Sequence, residues 1–253
     1  MEEFKGRHAL VTGAASGIGR ATALALAKHG ADLTVLDLNP KGLEDTAAQM
    51  AREGVKVVAL PLDVSDPAAV SATMRKVEET SGTPDYLVNA AGTFFAGPIE
   101  EIGDEALLKC FSINAFGVVY MCRALLPGMS RRGSGVIVNI SSLHAQNGQP
   151  GASLYAAAKG AVMGFTKSLA REKAASGIRA NAVAPGPIDT PFWRNAMIGD
   201  DAEAAIARRV KSIPLGRLGQ PQDVAAVIVF LLSSASAYMT GQVVTIGGGE
   251  IMP

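Results

Sequence analysis

Short apolar runs alternate with longer alanine- and leucine-rich segments along nearly the whole chain. An uninterrupted apolar run predicts a buried strand, and apolar residues recurring every three or four positions predict a helix. Their alternation predicts a parallel sheet with helices on both faces. The predicted strands are 8–12, 33–36, 55–60, 85–88, 135–140, 178–184 and 243–246. The predicted helices are 17–30, 41–53, one that opens at Asp66-Pro67, 105–129, 152–175, short helices within 190–210, and 221–233.

The composition favours one large core. The 253 residues are 48% hydrophobic, with a mean hydropathy of +0.23. The chain shows us no linker, internal repeat or low-complexity tract between the predicted elements. We therefore predict a single α/β domain over residues 1–253.

Charge and cysteine usage exclude several classes of partner. Lys and Arg together number 23, as do Asp and Glu, which argues against a nucleic-acid or acidic-membrane partner. Cys110 and Cys122 have neither metal-site nor disulfide spacing, and the three histidines are far apart, so we expect no metal. The first residues lack a secretory apolar segment, and the longest apolar run, 224–232, is too short to span a bilayer. We expect a cytoplasmic protein.

A glycine turn follows the first predicted strand and precedes a predicted helix. Gly13, Gly17 and Gly19 have the spacing Gly-x-x-x-Gly-x-Gly. Glycines let a backbone approach a pyrophosphate closely, and the helix presents free N–H groups to it. In this strand–turn–helix context, the turn predicts a dinucleotide phosphate site.

Asp37 ends the second predicted strand. A carboxylate there can accept hydrogen bonds from an adenosine ribose and would repel a 2′-phosphate. Ser16 and Leu38 are uncharged, so the pattern favours NAD over NADP, although Lys41 is close enough in sequence to reach the site. The alternative is that Asp37 is only a turn residue before Asn39-Pro40.

Tyr155 and Lys159 lie four residues apart in an alanine-rich predicted helix. Residues with this spacing share one helix face, and a neighbouring ammonium favours the phenolate. We therefore expect Lys159 to lower the pKa of Tyr155 and to make it an acid or base near neutrality. The alternative is an ordinary pair on a helix surface.

Seven short motifs follow one another along the chain: Thr12-Gly13-x-x-x-Gly17-x-Gly19, Asp63-Val64, Asn89-Ala90-Ala91-Gly92, Asn114, Ser142, Tyr155-x-x-x-Lys159 and Pro185-Gly186. In this order, they resemble the motifs of the short-chain dehydrogenase/reductase family of the compact, NAD-preferring type. The resemblance covers essentially the whole length. It implies a single-domain, Rossmann-type, doubly wound parallel sheet of about seven strands. It also implies a substrate lid around 187–215 and a homotetramer.

The resemblance implies four catalytic residues. Tyr155 would be the general acid/base, and Lys159 would lower its pKa and hold the nicotinamide ribose. Ser142 would hydrogen-bond the substrate oxygen, with Ser141 as the less favoured alternative. Asn114 would kink its helix and hold a water that relays protons to Lys159.

The resemblance also implies a cofactor site for NAD. Asp63 and Val64 would meet the adenine, Asn89 would border the adenosine pocket, and Ile188 and Thr190 would contact the nicotinamide amide. The full set of implied residues is Gly13, Ser16, Gly17, Ile18, Gly19, Asp37, Asp63, Val64, Asn89, Gly92, Tyr155, Lys159, Pro185, Gly186, Ile188 and Thr190.

Two positions depart from the family pattern. Ala90 stands where the family usually has a second asparagine, which removes one expected hydrogen bond. Gly247 stands at a usually acidic position near the C-terminus, in a segment that in the family lies at a subunit contact.

The expected substrate end is only partly specified. His144 lies where related hydroxybutyrate dehydrogenases carry a histidine, but Ala152 replaces their carboxylate-binding lysine, which argues against a small hydroxy acid. The alternative for His144 is a histidine bound to loop backbone. Apolar residues in flanking loops predict a pocket for a neutral ketone or alcohol, the alternative being lid packing alone. These residues are Phe94, Phe95, Trp193 and Met197.

These observations predict an NAD(H)-dependent oxidoreductase that interconverts a secondary alcohol and a ketone. Tyr155 would transfer the proton, and the substrate-binding residues would be Ser142, His144, Tyr155, Phe94 and Trp193. One alternative is a 3-oxoacyl-type reductase that uses NADPH, against which Asp37 argues. Another is a catalytically silent dinucleotide-binding sensor or scaffold.

Overall fold

Seven parallel strands form one sheet within residues 2–195 and 202–252, the part of the chain that the computed structural model describes. The sheet order is β3-β2-β1-β4-β5-β6-β7. The strands are β1 His8–Thr12, β2 Asp32–Asp37, β3 Val57–Pro61, β4 Tyr86–Asn89, β5 Gly135–Ile140, β6 Ile178–Pro185 and β7 Val243–Ile246. The sheet confirms the predicted Rossmann-type fold class.

Helices connect the strands and cover both faces of the sheet. They are α1 Gly17–Lys28, α2 Pro40–Met50, α3 Pro67–Ser81, α4 Asp104–Phe111, α5 Gly117–Arg132, α6 His144–Asn147, α7 Ser153–Lys173, α8 Pro191–Asn195, α9 Ala202–Lys211 and α10 Pro221–Leu232. The predicted pocket residue Met197 lies outside the described residues, as does the part of the predicted lid at 196–201.

The alternation of side chains along each strand supplies two cores. In β1, Ala9 and Val11 face the layer that includes Leu26 of α1 and Ile228 of α10. Leu10, between them, faces the opposite layer, which is built from residues of α3, α5 and α7. Successive strand side chains point to opposite faces, so a fully apolar strand contributes to both layers.

The strand order reverses between β1 and β4. Strands β2 and β3 lie on one side of β1, and β4 to β7 extend on the other. In open sheets of this kind, a crevice forms beyond the carboxyl ends of the strands at this reversal. The glycine turn after β1 and the 90–92 segment after β4 both reach that crevice.

The ends of two elements are bonded by aspartate side chains. Strand β3 begins at Val57 and not at residue 55, and the residue before it, Lys56, donates its backbone N–H to the side chain of Asp32 at 2.9 Å. Helix α3 begins as predicted, since Asp66 accepts from the N–H groups of Ala68 and Ala69. The short helix α6 was not predicted.

The predicted helix 105–129 is not one regular helix. It runs from α4 through a π-helical segment, Ser112–Phe116, into α5. The combined run Asp104–Arg132 is long and apolar enough to cross a membrane by length and composition. Its α5 part packs against α3, α7, β4 and β5, and this packing accounts for its apolar residues.

Candidate active site

A cavity of about 860 Å³ lies along the carboxyl edge of the sheet. It extends from the glycine turn after β1 to the aromatic residues of α8. The structure brings most of the predicted site residues to its wall. Those that line it are Gly13, Ser16, Gly17, Ile18, Gly19, Asp37, Asp63, Val64, Gly92, Phe94, Ser142, His144, Tyr155, Lys159, Pro185, Gly186, Ile188, Thr190 and Trp193.

The glycine turn is closely packed against the neighbouring loop. Gly13 has φ +67°, and a Cβ atom placed on it would lie 2.7 Å from the carbonyl oxygen of Ala90. Gly17, the first residue of α1, has φ +53°. Both conformations suit glycine and strain other residues. The turn therefore leaves room beside the N-terminus of α1, which suits a pyrophosphate group.

The carboxylate of Asp37 is held by two backbone N–H groups. One oxygen accepts from Ala15 at 3.0 Å and the other from Asn39 at 2.9 Å. These bonds place the carboxylate on the cavity wall at the end of β2. Lys41 is absent from the described residues that line the cavity. The site therefore presents a negative charge where an adenosine ribose would lie, so its residues fit a dinucleotide.

Tyr155, Ser142 and Lys159 meet at the far side of the cavity. The side chains of Ser142 and Tyr155 both line the cavity, and the hydroxyl of Ser142 is near enough to act on the pKa of the phenol. Lys159 Nζ lies 5.9 Å from the centre of the Tyr155 ring and donates to the carbonyl oxygen of Ile140 at 2.9 Å. Ser141 instead donates its hydroxyl to the backbone carbonyl of Lys159 at 2.8 Å. Of the two serines, Ser142 is thus the one beside the phenol.

Burial dominates the ionisation of these groups. Burial raises the pKa of the Tyr155 phenol well above its ordinary value, and the neighbouring side chain of Ser142 only partly opposes this effect. Burial also lowers the pKa of the Lys159 ammonium to about 8. Desolvation thus disfavours the charged forms of both groups, and the lowering of the Tyr155 pKa by Lys159 stays a prediction.

Asn114 lies in the π-helical segment and is fully buried. Its side chain amide donates to the carbonyl oxygens of Thr93 and Cys110, and its Oδ1 accepts from the N–H of Thr93 at 3.1 Å. A Cβ atom placed on Gly92 would lie 2.9 Å from Asn114 Oδ1 and 3.5 Å from Lys159 Nζ. Asn114 therefore sits just behind the cavity wall, next to Lys159.

Asn89 occupies a different place from the one expected. It is 2% exposed, and its amide donates to Oδ1 of Asn139 at 2.9 Å, within the core beneath the cavity. The cavity wall is formed instead by the residues that follow it, Ala90, Ala91 and Gly92. The structure thus does not place Asn89 at the border of the adenosine pocket.

The turn after β4 holds without a second asparagine. The hydroxyl of Thr12 accepts hydrogen bonds from the N–H groups of Ala90 and Ala91 at 3.0 and 3.1 Å. These two bonds join the ends of β1 and β4, which are neighbours in the sheet. The alanine at position 90 therefore leaves the turn anchored through its backbone.

Comparisons with known proteins agree with this geometry. A family model described as enoyl-(acyl carrier protein) reductase matches residues 13–250. The oxidoreductase UcpA of Escherichia coli (strain K12) is 38% identical over an alignment of 257 positions, which covers 100% of this chain and 97% of the relative. The chain belongs to the short-chain dehydrogenase/reductase family.

Two further relatives show the range of this family. The 3-oxoacyl-(acyl-carrier-protein) reductase FabG of Thermotoga maritima is 38% identical over 249 residues, which are 98% of this chain and 99% of the relative. The crystal structure of NAD⁺-bound xylitol dehydrogenase matches with a TM-score of 0.93 and 31% identity, covering 98% of this chain and 100% of that chain. Members therefore include both dehydrogenases and acyl-carrier-protein reductases.

Aromatic rings surround the phenol of this dehydrogenase/reductase. The ring of Phe94 lies 5.0 Å from that of Tyr155, and the rings of His144 and Phe192 lie 6.1 and 6.2 Å from it, measured between centroids. Phe95, in contrast, packs against the small core cluster around Cys110 and does not line the cavity. Sequence reasoning singled out Trp193 and missed its neighbour Phe192.

The close packing of Leu143 against the C-terminal segment of the dehydrogenase/reductase explains the glycine at position 247. A Cβ atom placed on Gly247 would lie 2.6 Å from Leu143 Cδ1. Leu143 follows Ser142 and is 1% exposed. A larger residue at 247 would therefore push against the segment that carries Ser142.

The lowered pKa of Lys159 makes stability depend on pH. An unfolded lysine keeps a pKa of about 10.4, so between pH 8 and 10 the unfolded chain binds more protons than the folded one, and the free energy of unfolding rises with pH. Relative to Lys159→Met, we expect the wild type to gain roughly 2–3 kcal/mol from pH 7 to pH 10. Urea unfolding at each pH measures this gain.

Lys167→Met is the matched control, since Lys167 is exposed on the same helix. Its free energy of unfolding should follow that of the wild type across the range. A wild-type curve parallel to that of Lys159→Met would show that Lys159 keeps its ordinary pKa when folded.

Proposed function

We propose that this chain is an NAD(H)-dependent oxidoreductase that interconverts a secondary alcohol and a ketone. The observation that carries the proposal is that Tyr155, Ser142 and Lys159 share one cavity with the glycine turn and Asp37. The groups that can transfer a proton and the residues that can bind a dinucleotide thus line the same cavity. A nicotinamide cofactor, when bound, exchanges a hydride with the substrate carbon.

The chain's own residues handle the proton. Burial keeps the Tyr155 phenol protonated, so in the reductive direction its Oη can donate a proton to the carbonyl oxygen of the substrate. The hydroxyl of Ser142 stabilises the same oxygen as its charge changes. In the oxidative direction, the alcohol proton passes to Tyr155. Lys159 holds its positive charge beside the ring and offsets the charge of a tyrosinate.

Asn114 acts through Lys159 in this proposal. Its buried amide fixes the 92–93 segment next to the lysine ammonium. An amide at this place can order a water that relays protons between Lys159 and solvent. Asn89 has a structural role beneath the cavity, because its amide is engaged with Asn139.

The carboxylate of Asp37 supports a preference for NAD. Its charge would oppose the 2′-phosphate of NADP at the end of β2. Ser16 and Leu38, which also line the cavity near it, are uncharged. The NAD⁺-bound xylitol dehydrogenase has the same fold, which is consistent with this choice. Asp63 and Val64 would then border the adenine, and Ile188 and Thr190 the nicotinamide amide.

The relationship to FabG favours a second candidate, a 3-oxoacyl-type reductase that uses NADPH. Rates with NADH and NADPH on the same ketone separate the two candidates, because Asp37 predicts the larger rate with NADH. A catalytically silent dinucleotide-binding protein is a weaker alternative. The intact set of Asn114, Ser142, Tyr155 and Lys159 argues against it.

We further propose a single cytoplasmic domain over residues 1–253, with a substrate lid around 187–215. We also propose a homotetramer, as the family resemblance implies. The exposed side chains of Leu107, Leu108 and Phe116 on and after α4 offer an apolar surface for a second copy. Light scattering should report about four times the monomer mass of 26.0 kDa, and a monomer mass would exclude this assembly.

Replacing the Tyr155 phenol should abolish turnover without abolishing cofactor binding. Tyr155→Phe keeps the ring that packs against Phe94 and removes only the proton carrier. We expect NADH binding, measured by fluorescence, to persist and kcat to fall at least ~100-fold. Tyr238→Phe, at a fully exposed position, is the control and should retain full activity. Retention of more than a tenth of the rate by Tyr155→Phe would refute the assignment.

Removing the charge of Asp37 should weaken the discrimination against NADP. Asp37→Asn keeps the size and one acceptor oxygen but lacks the charge that repels a 2′-phosphate. We expect the ratio of kcat/KM for NAD to that for NADP to fall by roughly tenfold or more, as one charge–charge contact provides. Asp45→Asn, exposed on α2, should leave the ratio unchanged. An unchanged ratio in Asp37→Asn would mean that another residue selects the cofactor.

A further inference from the structure

Arg209 of α9 lines the cavity, although no sequence motif singled it out. Among the described lining residues, the other lysines and arginines are Lys109 and Lys159. The ammonium of Lys159 donates to the carbonyl oxygen of Ile140, behind the cavity wall. Lys109 lies on α4 and Arg209 on α9, so two cationic side chains remain candidates to meet a substrate group.

Glu250 holds Arg209 in place through one point of contact. Arg209 Nη2 lies 2.6 Å from Glu250 Oε1, and the two side chains are only 22% and 11% exposed. The second oxygen, Oε2, is buried and has no hydrogen-bond partner among the described residues, so the pair is not bidentate. A guanidinium carries five N–H donors. Glu250 therefore orients the guanidinium of Arg209 and leaves some of the N–H donors of that guanidinium available to a ligand.

His144 places Arg209 at the substrate end of the cavity. His144 and Arg209 both line the cavity. A Cβ atom placed on Gly186 would lie 3.7 Å from Oε2 of Glu250, the partner of Arg209, and 2.8 Å from Cδ1 of Leu143, the residue before His144. In agreement with this placement, the positive charge of Arg209 adds to the effect of burial in lowering the pKa of His144. The ring of His144 lies 6.1 Å from that of Tyr155. Nδ1 of His144 is buried without a partner among the described residues. Arg209 and His144 thus offer polar groups to the part of a substrate near the phenol.

Apolar side chains near the substrate end of the cavity strengthen the interaction of the Arg209 guanidinium with an anion. Phe94, Phe192 and Trp193 line the same end of the cavity. An ionic hydrogen bond is stronger in such an apolar environment than in water. A guanidinium that Glu250 already orients binds a planar carboxylate with little further loss of freedom.

We propose that Arg209 forms an anion subsite, which binds a carboxylate on the part of the substrate away from the reacting carbon. The proposal rests on the ketone reductase activity proposed above. It changes the substrate class from a neutral ketone to an oxo acid. In the sequence analysis, Ala152 argued against an acidic substrate, because it replaces the carboxylate-binding lysine that related hydroxybutyrate dehydrogenases carry just before α7. Here the cation comes from α9, on another wall of the cavity.

The experiment compares acids with their own neutral amides. The substrates are 3-oxobutanoate, 4-oxopentanoate and 5-oxohexanoate, each beside its primary amide, with NADH as the reductant. The enzymes are the wild type, Arg209→Met, Arg209→Lys, and two controls. Arg208→Met removes the same charge from an exposed position of the same helix, and Lys109→Met removes the rival cation. The readout is the acid-to-amide ratio of kcat/KM, which is independent of the fraction of folded enzyme.

For at least one chain length, the wild type should prefer the acid by about tenfold or more. Arg209→Met should lower the ratio by about 10- to 100-fold, the range of a charge-assisted hydrogen bond, mainly through KM for the acid. Arg209→Lys should retain part of the preference, and both controls should retain all of it. A wild-type ratio near one, an equal loss for acid and amide in Arg209→Met, or a loss specific to Lys109→Met would overturn the proposal.

Calorimetry separates this proposal from the proposed reaction. The same acids and amides are titrated into the NADH complex of the wild type and of Arg209→Met. If the wild type binds an acid and Arg209→Met does not, the subsite is supported even when no substrate is turned over. The lack of turnover would then contradict only the proposed reaction. If no acid binds to the wild type more tightly than its amide, the subsite is overturned, whatever the turnover of neutral ketones.

Discussion

Two hydrogen bonds fasten helix α7 to the end of strand β5, and the site depends on them. The ammonium of Lys159 donates to the carbonyl oxygen of Ile140 at 2.9 Å, and the hydroxyl of Ser141 donates to the backbone carbonyl of Lys159 at 2.8 Å. They set the position of α7 along the strand. Ser142, the next residue after Ser141, thereby meets Tyr155, one helical turn before Lys159.

The same burial that fixes this geometry sets the charges. A buried ammonium and a buried phenol both favour their neutral forms, so the folded chain holds a protonated phenol beside a lysine with a pKa of about 8. Such a phenol is a ready acid for reduction. The proposed oxidation needs a tyrosinate, which the positive charge of Lys159 would stabilise. Lys159 loses this charge as the pH rises above about 8. The proposed oxidation therefore depends more on the charge of Lys159 than the proposed reduction does.

The sequence predicts the parts of the site that short spacing determines. The glycine turn with its helix, and the pair Tyr155 and Lys159, each depend on residues within a few positions of one another. Asn89 is a residue whose position the motif did not predict. It pairs in register with Asn139, and its side chain points into the core between β4 and β5. Strand side chains alternate between faces, and a motif alone does not tell which face a terminal residue takes.

The substrate end was predicted least well, because several segments far apart in the chain build it. Phe94 follows β4, Phe192 lies on α8, and Arg209 on α9 is oriented by Glu250 near the C-terminus. Gly247 lies in the same region, since its lack of a side chain leaves room for the side chain of Leu143, the residue after Ser142. The sheet and α7 therefore hold the proposed proton-transfer groups, and the proposed substrate end is built from loops after β4 and β5 and from the segments after β6. One fold can serve many substrates in this way, because the site and not the fold decides the function.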